Sequence, residues 1–167
     1  SEAKPDIPTW TINPPKAQHS PGVPTLMASD WHWGEVVDPE QINGVNKFNL
    51  QIAHRRARAL ISRTVDLLKN HMVVPNYPGI VFALGGDMVS GDIHDELRES
   101  NELATIPTVL DLLEVLCACV HSLADAFGHV HIPCVTGNHG RNTLKIRAKG
   151  RVHTSYDWLL YCLLERE

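Results

Sequence analysis

The chain has 167 residues, a length typical of one domain with a hydrophobic core of its own. Its composition, 43% hydrophobic and 20% charged, is that of an ordinary globular protein and excludes a largely disordered chain. The formal net charge of −4 excludes a protein that coats nucleic acid through global positive charge, although it leaves a local basic patch open.

Membrane proteins and disulfide-rich proteins are disfavoured by the sequence pattern. No run of apolar residues reaches the ~20 residues that span a bilayer, and the chain does not open with a basic segment followed by an apolar stretch. We therefore expect a cytoplasmic protein with no membrane partner. The four cysteines include no C-x2-C pair, which disfavours a zinc knuckle or a disulfide framework.

Prolines dominate the first part of the chain, and they remove backbone donors that helices and interior strands need. We expect residues 1–22 to form an arm along the surface or the edge of a sheet, and residues 23–167 to form one domain. The domain begins with a short apolar run from Val23 to Ala28. This run has the length of a strand and ends at a polar loop that starts with Ser29.

The rest of the domain alternates helical and strand patterns. We expect helices at residues 46–70, 107–127 and 156–165, and strands at residues 80–84 and 130–136. The order β-α-β-α-β-α predicts an α/β fold with a parallel sheet. In such sheets ligands bind beyond the carboxyl ends of the strands.

Each predicted strand is followed by side chains that bind divalent metals. They are Asp30 and His32 after the first strand, Asp87 after the second, and Asn138 and His139 after the third. Carboxylate, imidazole and amide groups suit Mn, Fe or Zn. Either aspartate alone could be a turn or helix-cap residue. Together, at the ends of neighbouring strands, these side chains indicate a shared metal site.

The motifs Asp30-x-His32-x-Gly34, Gly86-Asp87 and Gly137-Asn138-His139 resemble the first three motifs of the calcineurin-like metallophosphoesterases. The resemblance implies the β-α-β-α-β-α half of a four-layer α/β/β/α sandwich. It also implies two divalent metal ions, with Mn²⁺ as the first choice and Fe or Zn as alternatives. Asp30 and His32 would hold the first ion, Asp87 would bridge both, and Asn138 would hold the second. A metal-activated hydroxide would attack phosphorus, and His139 would protonate the leaving oxygen.

The chain departs from the pattern of that family. The family usually has Asp or Glu after Gly-Asn-His, where this chain has Gly140. It also supplies a later His and a Gly-His-x-His motif, and the chain ends before them. We favour a fragment of a longer product over a degenerate homologue, and we expect the chain alone to bind metal weakly and to be inactive. The sequence Gly-His-Val-His at 128–131 starts a strand, so we expect it at the opposite edge of the sheet.

A basic segment follows the third motif. Its cations, with no acid between them, are Arg141, Lys145, Arg147, Lys149 and Arg151. Such a segment attracts a phosphodiester backbone, and Trp31 or Trp33 could stack on a base. We therefore expect Arg141, Lys145 and Trp33 to bind substrate. A flexible solvated loop, and a core position for Trp33, are the alternatives.

The expected function is hydrolysis of phosphate esters, above all phosphodiesters, with nucleic acid as one candidate substrate. A phosphomonoesterase or protein phosphatase, and a scaffold that binds without catalysis, remain open.

We expect Asp92, His94 and Asp95 to be solvated loop residues. The arginine-rich helix face around His54 is expected to be solvated as well.

Overall fold

A computed structural model of the protein describes residues 6–12 and 22–167. The helices and strands of this part of the chain are α1 (Thr9–Ile12), β1 (Thr25–Ala28), α2 (Leu50–Asn70), β2 (Ile80–Leu84), α3 (Asp95–Ser100), α4 (Thr105–Phe127), β3 (Val130–His131) and α5 (Tyr156–Leu164). The three strands are parallel and lie in the order β1-β2-β3. The predicted alternation of parallel strands with long helices is confirmed, and α1 and α3 are additions. Because the described residues form one small sheet, the four-layer sandwich stays a prediction.

The two faces of the sheet differ in burial. Phe82 and Leu84 of β2 are almost inaccessible and belong to a core that includes residues of α2, α4 and α5. On the opposite face, Met27 lies beside Ala83 and is 66% exposed. Val81 on that face is half-buried. A continuous apolar run such as residues 80–84 is typical of a strand buried on both faces, but in the described residues the core lies on one face.

The third strand is shorter than its apolar run predicts. Regular pairing covers Val130–His131, and contact with β2 resumes as an isolated bridge between Leu84 and Cys134. Pro133 lies between these two points and has no backbone N–H to donate. Its carbonyl still accepts a hydrogen bond from the Leu84 N–H at 2.9 Å. The chain thus continues alongside β2 towards Gly137 without forming a full ladder.

Helix α2 begins four residues later than its apolar pattern suggests. The Asn49 side chain accepts a hydrogen bond from the Ile52 N–H at 2.9 Å and caps the helix. The buried residues Ala53, Ala57 and Ile61 recur every four positions. This spacing confirms the predicted amphipathic helix and turns one narrow apolar face towards the core.

Helix α4 is long and apolar enough to cross a membrane by length and composition, a property that core helices also have, so the expected cytoplasmic location stays a prediction. Leu112, Leu116 and Leu123 are completely buried in the core. Leu110, an apolar residue of the same helix, is 51% exposed. The helix is apolar on more than one face, so periodicity alone does not identify the face that packs.

The predicted proline-rich arm is described only in part, because residues 1–5 and 13–21 lie outside the described residues. Residues 6–12 contain a one-turn helix, although the prolines disfavoured one. Pro8 precedes its first turn, where a missing N–H has no helical partner to lose. Trp10 of this helix stacks on His129, with ring centroids 6.2 Å apart.

Candidate metal centre

Three of the predicted metal ligands meet beyond the carboxyl ends of β1 and β2. Asp30, His32 and Asp87 each offer a donor atom, and these atoms all lie within 4.8 Å of one another. Oxygen and nitrogen ligands of a transition metal lie about 2.1 Å from the ion, so two ligands of one ion are at most about 4.2 Å apart. Small side-chain adjustments therefore suffice for all three to bind one cation.

The same three residues have a strained backbone. Asp30, His32 and Asp87 have φ values of 55°, 45° and 49°, in the left-handed region that non-glycine residues avoid. In the described part of the chain, Asn43 alone shares this conformation among non-glycine residues, and it ends a short helix, where left-handed geometry is common. Strain of roughly 1–3 kcal/mol per residue persists where the surrounding structure enforces it, often at functional sites.

Backbone hydrogen bonds hold the two donor loops side by side. The N–H of Asp30 donates to the Gly86 carbonyl at 3.0 Å, and the N–H of His32 donates to the Asp87 carbonyl at 3.1 Å. The pairing of β1 with β2 thus extends past the regular strands into the loops. Because each loop braces the other, the positions of the donors follow from the register of the sheet.

The third loop reaches the centre through its backbone. Asp87 Oδ1 accepts hydrogen bonds from the N–H groups of Asn138 and His139, both at 2.6 Å. A Cβ at Gly137 would overlap the Asp87 side chain, so only glycine allows this approach. With Oδ1 occupied by two donors, Oδ2 is the Asp87 oxygen left for a cation. The Asn138 side chain is exposed and remains the predicted ligand of a second ion.

A buried carboxylate that the sequence analysis missed ties these loops together. Asp157 is fully buried and accepts hydrogen bonds from the N–H groups of Asp87 (3.1 Å), Met88 (3.2 Å) and Gly137 (2.9 Å). Burial raises the pKa of the Asp157 carboxyl, and the hydrogen bond from Gly137 opposes that shift. The sequence did contain a sign of this role, because Asp157 is an acid within the otherwise apolar stretch that forms α5. An acid is rarely buried unless it has polar partners.

The position of Asp157 also accounts for the departure at Gly140. A Cβ at residue 140 would lie 2.9 Å from Asp157 Oδ1 and 3.0 Å from Asp157 Cγ. The carboxylate cannot move aside easily, because three backbone N–H groups hold it. The space that an Asp or Glu at position 140 would need is therefore occupied by the Asp157 carboxylate.

His139 lies beside the donors with one ring nitrogen directed at the backbone. Its Nδ1 is 3.4 Å from the Ser90 carbonyl oxygen, and its ring centroid is 4.5 Å from that of His32. With a proton on Nδ1, this long hydrogen bond orients the ring and leaves Nε2 for other partners. The Ser90 carbonyl can therefore orient the His139 ring. His94 is exposed, as expected, with its ring 6.3 Å from that of His139.

Glu35 is a second residue near the centre that the sequence analysis missed. Its Oε2 lies 3.6 Å from Nδ1 of His32, three positions earlier in the chain. The distance is too long for a hydrogen bond, so the contact is electrostatic. A carboxylate on the Nδ1 side of a histidine favours metal binding through Nε2.

Trp33 and His54 share one acceptor beneath the centre. Trp33 is 1% exposed, and its Nε1 donates to Asp111 Oδ2 at 2.6 Å. The same oxygen lies 2.9 Å from His54 Nε2, and the His54 side chain is 30% exposed. The structure therefore places Trp33 in the core, in agreement with the alternative interpretation, and its contact with substrate stays a prediction. The expected solvated helix face is confirmed for its arginines, which are exposed, whereas His54 is half-buried and its ring packs on Trp33.

Two of the five cations in the basic segment hold the Gly-Asn-His loop. Arg141 donates through one terminal guanidinium nitrogen to the Asn138 carbonyl at 2.9 Å. Arg151 donates to the carbonyls of Thr136 and Gly137, each at 2.7 Å. These contacts give Arg141 a structural role in addition to the predicted contact with substrate, which stays a prediction.

The other three cations, Lys145, Arg147 and Lys149, are exposed. Across residues 6–12 and 22–167, none of the five cations of the segment forms an ion pair with an acidic side chain. Their positive charge is therefore not neutralised by neighbouring acids. It is available to an anion that approaches this side of the centre.

The Gly-His-Val-His sequence at 128–131 lies away from the centre. The His129 carbonyl accepts a hydrogen bond from the Ile80 N–H at 2.8 Å, at the amino end of β2. The predicted position at the opposite edge of the sheet is confirmed. His129 packs there on Trp10 and faces no donor of the centre.

Comparisons of the chain with protein-family models, with curated proteins and with solved structures found no match. The resemblance to the metallophosphoesterases thus depends on three short motifs. What the fold adds is their convergence, since all three loops meet at Asp87 through donor atoms or backbone hydrogen bonds.

Proposed function

We propose that this protein is a metal-dependent hydrolase of phosphate esters that acts on phosphodiesters. The observation that carries the proposal is the convergence of Asp30, His32 and Asp87, each with a left-handed backbone, at the carboxyl edge of a parallel sheet. Two carboxylates and an imidazole form a donor set that suits Mn²⁺, Fe or Zn. Three protein ligands also leave coordination positions for water and substrate, as catalytic metal sites require.

In this proposal Asp30, His32 and Asp87 would hold one ion, and Asn138 would hold a second next to Asp87. Divalent ions held there would supply Lewis-acid stabilisation of the phosphoryl oxygens and make a bound water more acidic, and so a better nucleophile. Asp157 keeps the loops of Asp87 and Gly137 at a fixed separation through its hydrogen bonds. A preorganised ligand set of this kind binds its ion without reordering the loops.

His139 is the group that would move a proton. Its Nδ1 faces the Ser90 carbonyl, so a protonated ring can donate from Nε2 to the leaving oxygen of the ester. The ring lies close to His32 and therefore to the scissile bond of an ester bound at the centre. Protonation of the leaving oxygen avoids the release of an unstable alkoxide.

The basic segment favours phosphodiesters over monoesters. Lys145, Arg147 and Lys149 are exposed and lie in the segment that follows the Gly-Asn-His loop. A polymeric diester carries further negative charges on either side of the bond that is cleaved, and these cations can bind them. A monoester ends at the centre and gains nothing from cations beyond it.

The experiment is metal-dependent hydrolysis of bis-p-nitrophenyl phosphate by the protein at its full natural length. We expect Mn²⁺ to support turnover, and Asp87→Asn to lower kcat/KM by more than about 100-fold, because the substitution removes a negative charge and replaces one carboxylate oxygen by an NH₂ group, which cannot bind a cation. Asp125→Asn, at an exposed position of α4, makes the same change of charge away from the centre and should keep activity. Full activity of Asp87→Asn would overturn the proposal.

Two further measurements separate the alternatives. A higher kcat/KM for p-nitrophenyl phosphate than for the diester would identify a phosphomonoesterase. Calorimetric titration with Mn²⁺ at neutral pH tests for a scaffold. If that titration shows no Mn²⁺ binding while the protein is folded, the protein is a scaffold with the fold but without the metal site.

A further inference from the structure

A cavity of about 490 Å³ opens directly beside the metal centre. Its lining includes Asp30 and His32 of the centre and Arg56 and Leu60 of α2. Its volume lies in the range of small-molecule sites, about 300–1,000 Å³. None of the steps in the proposed hydrolysis uses this cavity.

The cavity has a firm aromatic wall. Trp31 lines it and is half-buried, and the Trp31 ring lies against Trp33 with centroids 5.9 Å apart. Trp33 is in turn fixed by its hydrogen bond to Asp111. A wall that is already ordered binds a flat ring at a lower entropic cost than a mobile side chain does.

The remaining lining combines apolar surface with hydrogen-bonding groups. Phe48 lies beneath the Arg56 guanidinium, which is 5.3 Å from the centre of its ring. Asn46 and Glu35 also border the cavity and offer amide and carboxylate groups. Apolar walls alone would suit a hydrocarbon. Aromatic faces together with donors and acceptors suit a heteroaromatic ring, which has a flat face and a polar edge.

We propose that this cavity binds the nucleobase of a nucleotide substrate whose phosphate lies at the metal centre. Asp30 and His32 belong to both places, so one nucleotide can occupy the cavity with its base and the centre with its phosphate. The substrate class is therefore a phosphodiester of a nucleoside. The position of the phosphate rests on the proposed function, whereas binding of the base does not.

The first test measures base binding without metal. Thymidine is titrated calorimetrically into the full-length protein, with deoxyribose as the base-free comparison. We expect thymidine to bind and deoxyribose not to bind. Trp31→Ala should weaken the affinity for thymidine about tenfold, as loss of one stacking partner does. Arg56→Ala changes an exposed side chain, so it tests the cavity even if Trp31→Ala does not fold.

Matched controls are available for both variants. Trp10→Ala removes an indole at the amino edge of the sheet, and Arg58→Ala removes an exposed cation from the same helix, outside this cavity. Both should bind thymidine within about twofold of the unchanged protein. The proposal would be overturned if the unchanged protein did not bind thymidine. It would also be overturned if Trp31→Ala and Arg56→Ala both bound thymidine as tightly as the unchanged protein does.

The second test compares two diesters with the same leaving group, p-nitrophenyl thymidine 5′-phosphate and p-nitrophenyl methyl phosphate. We expect kcat/KM to be about tenfold higher for the nucleoside ester, and Arg56→Ala and Trp31→Ala to reduce that ratio towards one. Thymidine binding without hydrolysis of either ester would contradict the proposed function and support base binding in the cavity. Equal hydrolysis of both esters without thymidine binding would support the proposed function and contradict base binding in the cavity.

Discussion

The Asp157 carboxylate accepts a hydrogen bond from the backbone N–H of Asp87 at 3.1 Å, across 70 positions of the chain. The same oxygen, Oδ2, accepts the N–H of Gly137 at 2.9 Å. One buried atom on α5 therefore joins the loops that follow β2 and β3. The geometry of the candidate metal centre depends on a helix that contributes no ligand to it.

Asp157→Asn tests this dependence. An amide offers one acceptor oxygen and turns an N–H₂ group towards backbone donors, so buried N–H groups lose their partner. We expect the free energy of unfolding in urea to fall by about 1–3 kcal/mol. Mn²⁺ affinity should fall by about 10- to 100-fold, as it does when a group that orients a ligand is removed.

The control for Asp157→Asn is Glu165→Gln, which makes the same charge change at an exposed position just after α5. It should alter neither the urea midpoint nor the calorimetric affinity for Mn²⁺. An Asp157→Asn protein with both quantities unchanged would show that the loops hold their positions without the carboxylate.

Gly140→Ala tests the contact between residue 140 and Asp157. The added Cβ would lie 2.9 Å from Asp157 Oδ1, and the carboxylate is held in place by its N–H donors. We expect a loss of about 1–3 kcal/mol in the free energy of unfolding, as for other overpacked sites. Gly22→Ala, where a Cβ would meet nothing within 4 Å, is the matched control and should be neutral.

A double-mutant cycle identifies the cause of the Gly140→Ala effect. In the Asp157→Ala background the added methyl group meets no carboxylate, so its cost should become smaller than in the unchanged protein. Additive effects of the two substitutions would mean that the alanine at position 140 strains something other than the Asp157 carboxylate.

The ligand cluster could be predicted from the sequence, whereas its support could not. Parallel strands place their carboxyl ends at one edge, so Asp30, His32 and Asp87 had to converge once three strands were recognised. No local pattern links Asp157 to backbone N–H groups that precede it by 20 and 70 positions. Such contacts depend on how α5 packs, which periodicity does not determine.

The limits of periodicity are also clear in the secondary structure. β3 ends early because Pro133 lacks a donor, although the apolar run continues beyond it. Trp33 was predicted at the surface or in the core with equal reason, and its hydrogen bond to Asp111 of α4 decided the outcome. Whether a segment forms a helix or a strand could be predicted from its own residues. Which side chains are buried depends on contacts between residues that are distant in the sequence.

Asp111→Ala tests the shared acceptor under the centre. Removal of its carboxylate leaves the buried Trp33 N–H without a partner, which should lower the free energy of unfolding by about 1–3 kcal/mol. Asp125→Ala, at an exposed position of the same helix, should have little effect. Urea denaturation measures both, and equal stability of the two variants would contradict a role for the Trp33–Asp111 hydrogen bond.

The four cysteines are free, and burial protects two of them from reaction. Burial raises the pKa of the Cys119 and Cys134 thiols to about 11. Since the thiolate is the reactive form, we expect both to react with iodoacetamide at pH 8 at least about tenfold more slowly than in the urea-unfolded chain. The native rate should rise with pH up to about 11 while the fold persists. Peptide mass spectrometry after timed labelling gives the rates, and rapid native labelling of either residue at pH 8 would contradict the raised pKa of its thiol.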